Sequence, residues 1–253
     1  MNIYETDQIL AEYLLFHYGE AAEVLPYSFG PRDGLGYAER CVSECLDVSR
    51  LPPGARALDL GCAVGRSSFE LARHCAAVMG IDYSERFIEA AQKLRERGEL
   101  AYRRRDEGEL ATPLTARVPP EIDRSRVAFE TGDATALRAD IGAFDVVLMA
   151  NLIDRLTEPR RCLARLPDLV KPGGQLIVTS PYTWLEAFTP HEHWLGGRES
   201  AGKPMTTSAG LEEALSPGFD FLARKNLPFL IREHARKFQW SVAEATLWRR
   251  KPS

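Results

Sequence analysis

The chain contains 253 residues, 45% of them hydrophobic, and carries a formal net charge of −4 at pH 7. This length allows one α/β domain with a sizeable core, and the acidic balance argues against nucleic acid or another polyanion as a partner. No run approaches the ~18–20 apolar residues of a membrane span, and the N-terminal residues lack the basic and apolar regions of a signal sequence, so we expect a cytoplasmic protein without membrane contact.

The first 50 residues are predicted to form a helical cap. Thr6 is a suitable N-cap for a first helix, in which five side chains recur on one face at the 3.6-residue period. These are Ile9, Leu10, Tyr13, Leu14 and His17. A loop rich in glycine and proline over residues 27–36 precedes a second amphipathic helix, which carries Tyr37, Cys41, Cys45 and Leu46.

The run LDLGCAVGRSSFELA over residues 58–72 predicts a nucleotide-cofactor site. A short apolar strand over 56–60 carries Asp59 near its end, and Gly61 and Gly65 follow before a helical pattern. Glycine is needed where the backbone turns sharply or must approach a ligand. The spacing D-x-G-x-x-x-G differs from the G-x-G-x-x-G of dinucleotide enzymes, which disfavours a nucleotide-dependent oxidoreductase.

Four further apolar segments are predicted to be strands, over residues 78–81, 126–130, 144–150 and 175–179. Polar residues follow the first three, namely Asp82, Asp133 and Asn151. Because the carboxyl ends of parallel strands meet at one edge of a sheet, we expect these side chains near Asp59. Asp82 lies 21 residues after Gly61, where a carboxylate can accept both ribose hydroxyls of a nucleoside.

The remaining segments decorate this core. A polar insertion over residues 98–123 is either a lid or a plain loop. A helix near 211–215 and strand-like segments over 219–224 and 238–248 fit a closing antiparallel pair. The predicted organisation is a cap over 1–50, a cofactor-binding core over 51–182 and a substrate-side segment over 183–253, together forming one structural domain.

The first motif resembles that of class I S-adenosylmethionine (SAM) methyltransferases, with Ala63 where the middle glycine usually stands. The order of the five strand ends matches the core of that family. The resemblance implies an α/β, Rossmann-like fold with a seven-stranded, mostly parallel sheet, helices on both faces and an N-terminal helical cap. It also implies SAM as cofactor and S-adenosylhomocysteine as product. The implied cofactor-binding residues are Asp59, Gly61, Ala63, Gly65, Arg66, Asp82, Tyr83, Phe87, Asp133, Ala134 and Asn151.

Segments over residues 4–20, 150–156, 180–197 and 227–250 look like the ovothiol-pathway methyltransferase. In many organisms that activity is the C-terminal domain of 5-histidylcysteine sulfoxide synthase. The narrower resemblance implies methylation of the π nitrogen of the 5-thiohistidine imidazole. Carbon–sulfur bond formation would then need a separate iron-dependent sulfoxide synthase as a functional partner.

A zwitterionic amino acid requires a cation for its carboxylate, an acceptor for its ammonium and an aromatic wall for its ring. The sequence offers such groups in the segments that carry the narrower resemblance. The expected substrate-binding residues are Tyr4, Asp154, Arg155, Tyr182, Trp184 and Arg236. Catalytic roles are expected for Asn151, Arg155 and Tyr182. Either Arg155 or Arg236 is the expected carboxylate clamp, although Arg236 could instead face solvent beside Glu233.

Several other functions are less well supported by the residues. Five cysteines without ligand spacing indicate reduced thiols, and His191 and His193 lack a third partner, so we expect no metal. The fourth strand is not followed by the Asn/Asp-Pro-Pro-aromatic motif of base-modifying methyltransferases. The run Arg103–Arg105 precedes acidic residues and is expected to be self-paired. The open alternatives are a SAM methyltransferase for another small molecule and a non-catalytic SAM-binding subunit.

Overall fold

A computed structural model describes residues 3–200 and 202–252. Its strands are β1 (Arg56–Leu60), β2 (Ala77–Asp82), β3 (Glu99–Glu107), β4 (Leu110–Arg117), β5 (Val127–Thr131), β6 (Phe144–Ala150), β7 (Val170–Ser180), β8 (Arg198–Ser200), β9 (Lys203–Met205), β10 (Phe219–His234) and β11 (Lys237–Arg250). Seven of them form one sheet in the order β10-β11-β7-β6-β1-β2-β5. The pairs among β5, β2, β1, β6 and β7 are parallel, whereas β11 runs antiparallel to both of its neighbours. The predicted mostly parallel, seven-stranded sheet is therefore confirmed.

The helices lie on both faces of this sheet. They are α1 (Asp7–Tyr18), α2 (Ala21–Val24), α3 (Tyr37–Ser43), α4 (Arg66–Leu71), α5 (Glu85–Arg97), α6 (Pro159–Leu169) and α7 (Thr207–Leu215). Short 3-10 turns lie at Ile3–Glu5, Arg32–Gly34, Val48–Arg50, Arg124–Arg126, Ala139–Ile141, Ile153–Arg155 and His191–His193. Thr6 and Ser84 accept hydrogen bonds from the backbone N–H groups of Ile9 and Phe87 and so cap α1 and α5. In the part of the chain that is described, no helix has the length and apolar character to cross a membrane.

Two apolar clusters hold the layers together, one on each face of the sheet. Alternate strand residues such as Ala57 and Leu148 pack with Leu14 of α1 and Phe69 of α4. Their neighbours point to the opposite face, where they meet Leu163 and Leu211 of α6 and α7. The central strand β6 is buried on both faces, as expected for a parallel strand between two helical layers.

The insertion over residues 98–123 is an ordered β-hairpin. Strands β3 and β4 pair antiparallel from Glu99 with Arg117 to Glu107 with Leu110. Its Arg104 pairs with Asp106 and its Arg105 lies 4.0 Å from Glu12 of α1, so part of the basic run is self-paired as predicted. The alternating pattern of the hairpin is half-exposed, and the sequence therefore did not distinguish it from a loop.

The closing strands β10 and β11 are longer than the predicted segments 219–224 and 238–248. They pair nearly continuously from Phe219 with Arg250 to His234 with Lys237. Lys225, Asn226 and Pro228 disfavour strand structure in the sequence, but β10 is the edge of the sheet. An edge strand tolerates proline, because its outward N–H positions need no partner strand.

Candidate active site

A cavity of about 540 Å³ lies at the carboxyl ends of β1, β2 and β6. The strand-end residues Asp59, Asp82, Asp133 and Asn151 all line it. The opposite walls come from α1, α3 and the β10–β11 hairpin. In open α/β sheets ligands bind at this edge, so the cavity is the candidate active site.

The turn after β1 approaches the cavity with its backbone. Gly61 has a φ of 73°, and a Cβ there would lie 2.9 Å from Leu152 Cδ1. Ala63 also adopts the left-handed region, with a φ of 48°, at the position where the resemblance led us to expect glycine. Gly65 does not line the cavity; a Cβ at this residue would meet the Phe129 ring at 2.5 Å, so Gly65 serves packing.

Asp82 is held in place by backbone N–H groups. Its Oδ2 accepts a hydrogen bond from Ala63 N over 2.8 Å, and its Oδ1 accepts one from Ser84 N over 2.9 Å. Burial raises the pKa of Asp82, while these backbone donors act in the opposite direction. The carboxylate therefore has a fixed orientation at the end of β2, which suits the predicted contact with ribose hydroxyls.

Asp59 is a buried carboxylate, and only one of its two oxygens accepts a hydrogen bond from the described residues. Ser68 Oγ donates to its Oδ2 over 2.6 Å, whereas its Oδ1 has no hydrogen-bond partner among the described residues. Burial, with a smaller contribution from the charge of Asp82 and against the effect of the Ser68 hydrogen bond, raises the pKa of Asp59 to about 7. An orphaned carboxylate oxygen in a cavity wall fits an ammonium group such as that of SAM.

The other predicted cofactor residues lie around the same end. Tyr83, Phe87 and Ala134 line the cavity, as does the exposed Asp133, whose Oδ1 accepts from Thr135 N and Oγ1. Arg66 does not line it. Its guanidinium is buried against Glu70 and Glu39, where it joins α4 to the cap helix α3. The expectation that Arg66 contacts the cofactor is therefore corrected to a structural ion pair.

Many of the residues that line the cavity are aromatic. Its rings come from elements far apart in sequence: Tyr4, Tyr13, Phe16, Tyr37, Phe87, Phe188 and Phe229. Tyr13 and Phe87 lie 4.7 Å apart between ring centroids, and Tyr37 and Phe229 lie 4.9 Å apart. Polar groups from His17, Gln239 and Ser241 complete the lining. Sequence analysis assigned Tyr13 and His17 to one helix face but gave neither of them, nor Phe188, Phe229 or Gln239, a functional role.

Arg155 contributes a guanidinium group to the same cavity lining. Its Nη1 donates to Asp154 O at 2.9 Å, to Asp154 Oδ2 at 3.0 Å and to Thr183 O at 2.9 Å. The guanidinium carbon lies 5.0 Å from the centroid of the Phe188 ring. Among the described residues that line the cavity, Arg155 is the single arginine or lysine. His17 adds no charge, since burial lowers the pKa of its imidazole to about 3.

Three expected substrate residues lie outside the cavity. Tyr182 donates its hydroxyl to Glu244 Oε1 of β11 over 2.8 Å, and Trp184 donates Nε1 to Thr207 Oγ1 over 2.8 Å while stacking on Trp194. Arg236 is exposed in the turn between β10 and β11. The chain after β7 packs against β11 and α7, which turns both aromatic side chains away from the strand ends. The expected contacts of Tyr182, Trp184 and Arg236 are corrected accordingly, and Glu233 pairs with Lys237 instead of Arg236.

No group of three or more His, Cys, Asp or Glu side chains in the described residues could hold a metal ion. The cysteines Cys41, Cys45, Cys62, Cys75 and Cys162 are all free and buried. His193 Nδ1 lies 2.9 Å from Thr157 O, and His191 packs edge-on against Trp194. Both histidines therefore have structural neighbours.

Comparison with known proteins matches residues 58–178 to a family described as a methyltransferase domain. A ubiquinone biosynthesis O-methyltransferase of Coxiella burnetii is 27% identical over 127 residues, which are 50% of this chain and 44% of that protein. A demethylmenaquinone methyltransferase of Renibacterium salmoninarum is 27% identical over 144 residues, or 57% of this chain and 48% of that protein. The matches thus span about half the length of these curated relatives.

Solved structures share the fold. A SAM-dependent methyltransferase from Methanosarcina mazei aligns with a TM-score of 0.53 at 17% identity, covering 81% of this chain and 96% of the other. The [4+2]-cyclase SpnF aligns with a TM-score of 0.52 at 21% identity, covering 81% and 78%. Because a cyclase shares the architecture, the reaction has to be argued from the residues of the site.

Proposed function

We propose that this chain is a SAM-dependent methyltransferase of the class I type and that it methylates the π nitrogen of 5-thiohistidine in ovothiol biosynthesis. The proposal depends on one observation: among the described residues, the strand-end carboxylates, a set of aromatic rings and a single guanidinium group line the same cavity. A zwitterionic amino acid with a flat heteroaromatic ring needs this combination. The thiol would be introduced beforehand by a separate iron-dependent sulfoxide synthase.

The lining supplies a group for each part of that substrate. Tyr13, Phe87 and Phe188 offer ring faces for the imidazole. Arg155 is held by three oxygens and packs near Phe188, so its orientation is set before a carboxylate arrives. Asp154, buried beside it, offers a carboxylate for the substrate ammonium.

The chemistry requires positioning more than proton transfer. SAM, when bound, supplies an electrophilic methyl group. Asp59 and Asp82 would hold SAM, and its methyl group would pass to the lone pair of the neutral π nitrogen, with the methyl–sulfur electron pair going to sulfur. The positive charge moves to the product ring, and no proton has to leave before attack. The aromatic walls and Arg155 therefore act by holding the ring in line, which is the main contribution expected for a two-reactant displacement.

The test is incubation of the protein with SAM and 5-thiohistidine, with the methyl position read by NMR. We expect a π-N-methyl product, and much slower turnover of histidine because a pocket shaped for sulfur loses contacts when it is absent. Equal turnover of the two amino acids, or methylation at sulfur or the τ nitrogen, would refute the proposed acceptor.

A second candidate is methylation of a phenolic or quinol ring. The aromatic lining and the activities of the ubiquinone and menaquinone relatives favour it. A catechol and a demethylated quinol serve as its test substrates in the same assay. Turnover of these rings without turnover of 5-thiohistidine would select this candidate. Absence of turnover with every acceptor, together with tight SAM binding, would select a non-catalytic SAM-binding subunit.

A further inference from the structure

The cap reaches the end of β6 through one hydroxyl group. Tyr37 of α3 donates a hydrogen bond to Asn151 Oδ1 over 2.7 Å, and its hydroxyl oxygen lies 2.6 Å from Thr179 Oγ1 of β7. The Tyr37 side chain is 3% exposed, so water does not compete for these bonds. Three residues from the cap and from two central strands thus share one hydrogen-bonding network at the cavity wall.

The backbone of Asn151 is fixed as tightly as its side chain. Its φ is 52°, in the left-handed region that asparagine tolerates better than most residues. Its backbone N–H donates to Thr179 O over 2.8 Å and lies 3.3 Å from Thr179 Oγ1. The amide group of the side chain therefore has little freedom except to exchange its oxygen and nitrogen by a half-turn.

Counting the hydrogens decides between the two amide orientations. With Oδ1 toward Tyr37, the tyrosine hydroxyl donates its hydrogen bond to Asn151 Oδ1. The Thr179 hydroxyl can then donate to the tyrosine oxygen, so each hydrogen has an acceptor. In the opposite orientation, Tyr37 would donate to Thr179, and the Thr179 hydroxyl hydrogen would be left with the nearby thiol of Cys41, a weak acceptor, in place of an oxygen. Burial holds the pKa of Tyr37 well above its ordinary value, so the hydroxyl keeps its proton.

We propose that Tyr37 is a positioning residue that holds the Asn151 NH₂ group toward the cavity, where it donates to a hydrogen-bond-accepting atom of the bound methyl acceptor. This inference rests on the proposed function in one respect, since it places a methyl acceptor beside Asn151. A carboxylate or thiolate satisfies the NH₂ group, whereas a ligand that presents N–H or O–H at this point meets a second donor. The cap thereby selects the chemical character of the atom that the strand end contacts.

The first test compares Tyr37→Phe with Asn151→Asp. Tyr37→Phe removes the hydroxyl alone, and we expect kcat/KM for the acceptor to fall about tenfold while the Kd for SAM changes less than twofold. Asn151→Asp replaces the NH₂ donor with a second oxygen, and we expect a loss of about a hundredfold because an accepting atom then faces a carboxylate. The double variant should be no worse than Asn151→Asp, because both changes act on the same bond. Tyr27→Phe, which removes a 2.8 Å hydrogen bond to Ala235 O outside the cavity, is the matched control and should leave kcat/KM unchanged.

Several results would overturn the inference. Multiplying losses in the double variant would show that Tyr37 and Asn151 act independently. An equal weakening of SAM binding would assign the accepting atom to the cofactor, and an unchanged kcat/KM in Tyr37→Phe would leave the hydroxyl a structural role. Turnover by the wild-type protein decides which substrate is used in these assays. If the wild type does not methylate 5-thiohistidine, the proposed function fails, and the variants are then compared with the acceptor that the wild type does methylate.

A readout independent of turnover is the pair of Asn151 NH₂ resonances in a ¹⁵N spectrum, assigned by their loss in Asn151→Asp. A fixed amide predicts two sharp, separated resonances in wild type and Tyr27→Phe, and broadened or shifted ones in Tyr37→Phe. Unchanged resonances in Tyr37→Phe would contradict the positioning role, whichever acceptor the enzyme uses.

Discussion

The backbone N–H of Ala63 donates to Asp82 Oδ2 over 2.8 Å, which joins the turn after β1 to the end of β2. The same carboxylate accepts from Ser84 N, at the start of the next helix. A group held from both sides needs little reorganisation when a ligand binds. The two parts of the cofactor site are therefore organised around one side chain.

Asp82→Asn tests this assignment, because it keeps the shape and removes the charge. We expect SAM binding to weaken by about 1.5–3 kcal/mol for each lost charge-assisted bond. Calorimetric titration measures the Kd, and near-ultraviolet circular dichroism checks the fold. Asp133→Asn, at an exposed position, is the control and should weaken binding less. An unchanged Kd in a folded Asp82→Asn protein would contradict the ribose contact.

Asp59 makes cofactor binding depend on pH. Burial raises its pKa to about 7, so the carboxyl group is largely protonated below pH 7 in the free protein. An ammonium ligand favours the ionised form, and below pH 7 its binding must therefore release a proton. We expect the Kd for SAM to rise with falling pH between 7 and 5, by at most about tenfold per unit. Asp59→Asn should bind SAM weakly with a flat profile; a flat profile in wild type would argue against the contact.

Arg155→Met retains much of the apolar stem and removes the guanidinium fork. We expect KM for 5-thiohistidine to rise and kcat to fall together, since a loosely held ring also loses its in-line geometry, while SAM binding is nearly unchanged. Arg236→Met, in the exposed turn, is the control. Decarboxylated 5-thiohistidine should be a poor substrate for wild type and should lose little more in Arg155→Met. Equal losses for both compounds would mean that Arg155 does not bind the carboxylate.

His17 should make the fold sensitive to acid. Its pKa is about 6.5 when unfolded and about 3 in the folded protein, because burial disfavours the charged ring. Between these two pH values the unfolded chain binds more protons than the folded protein. The stability that comes from keeping His17 neutral is therefore complete above pH 6.5 and declines as the pH falls toward 3. The slope is at most about 1.4 kcal/mol per pH unit. In urea unfolding, the unfolding free energy of the wild type should fall below pH 6.5 more steeply than that of His17→Phe. Parallel curves from pH 8 to 4.5 would contradict the prediction.

Gly65→Ala separates backbone strain from steric overlap. Gly65 has a φ of 85° and would place its Cβ 2.5 Å from Phe129, whereas Gly54 has a φ of 75° with open space around it. Gly54→Ala should cost about 1–2 kcal/mol of unfolding free energy through strain alone. Gly65→Ala should cost about 1–3 kcal/mol more, because the Phe129 ring must move. Similar values for the two variants, from urea unfolding, would show that the ring adapts freely.

The five core strands were predictable because parallel strands between two helical layers are continuous apolar runs. Gly61 and Asp82 then marked the turns at their ends. The aromatic lining was not predictable, since Phe188 and Phe229 are distant in sequence and reach one cavity only through tertiary packing, Phe188 beside Tyr4 and Phe229 beside Tyr37. Periodicity places Tyr13 on a helix face but does not say what that face covers.

The sequence also suggested the wrong location for two aromatic side chains. Tyr182 and Trp184 follow β7, and this position, together with the family resemblance of residues 180–197, suggested the cavity. Their direction is decided by hydrogen bonds to Glu244 and Thr207, which lie in segments the sequence did not connect to them. Residue 63 is alanine where the resembling family usually has glycine, and the sequence alone does not show whether the left-handed turn is kept. The φ of 48° at Ala63 shows that it is.

β11 is the last strand in chain order, yet it lies inside the sheet between β7 and β10. On a ribosome, β10 therefore emerges before the strand that it must pair with, and the edge of β7 stays uncovered until residues 237–250 follow. The nascent protein then carries two open strand edges at once, an arrangement that invites pairing with other chains. A chain that stops before Lys237 should accordingly aggregate during translation, whereas a chain that includes residues 237–250 should stay monodisperse.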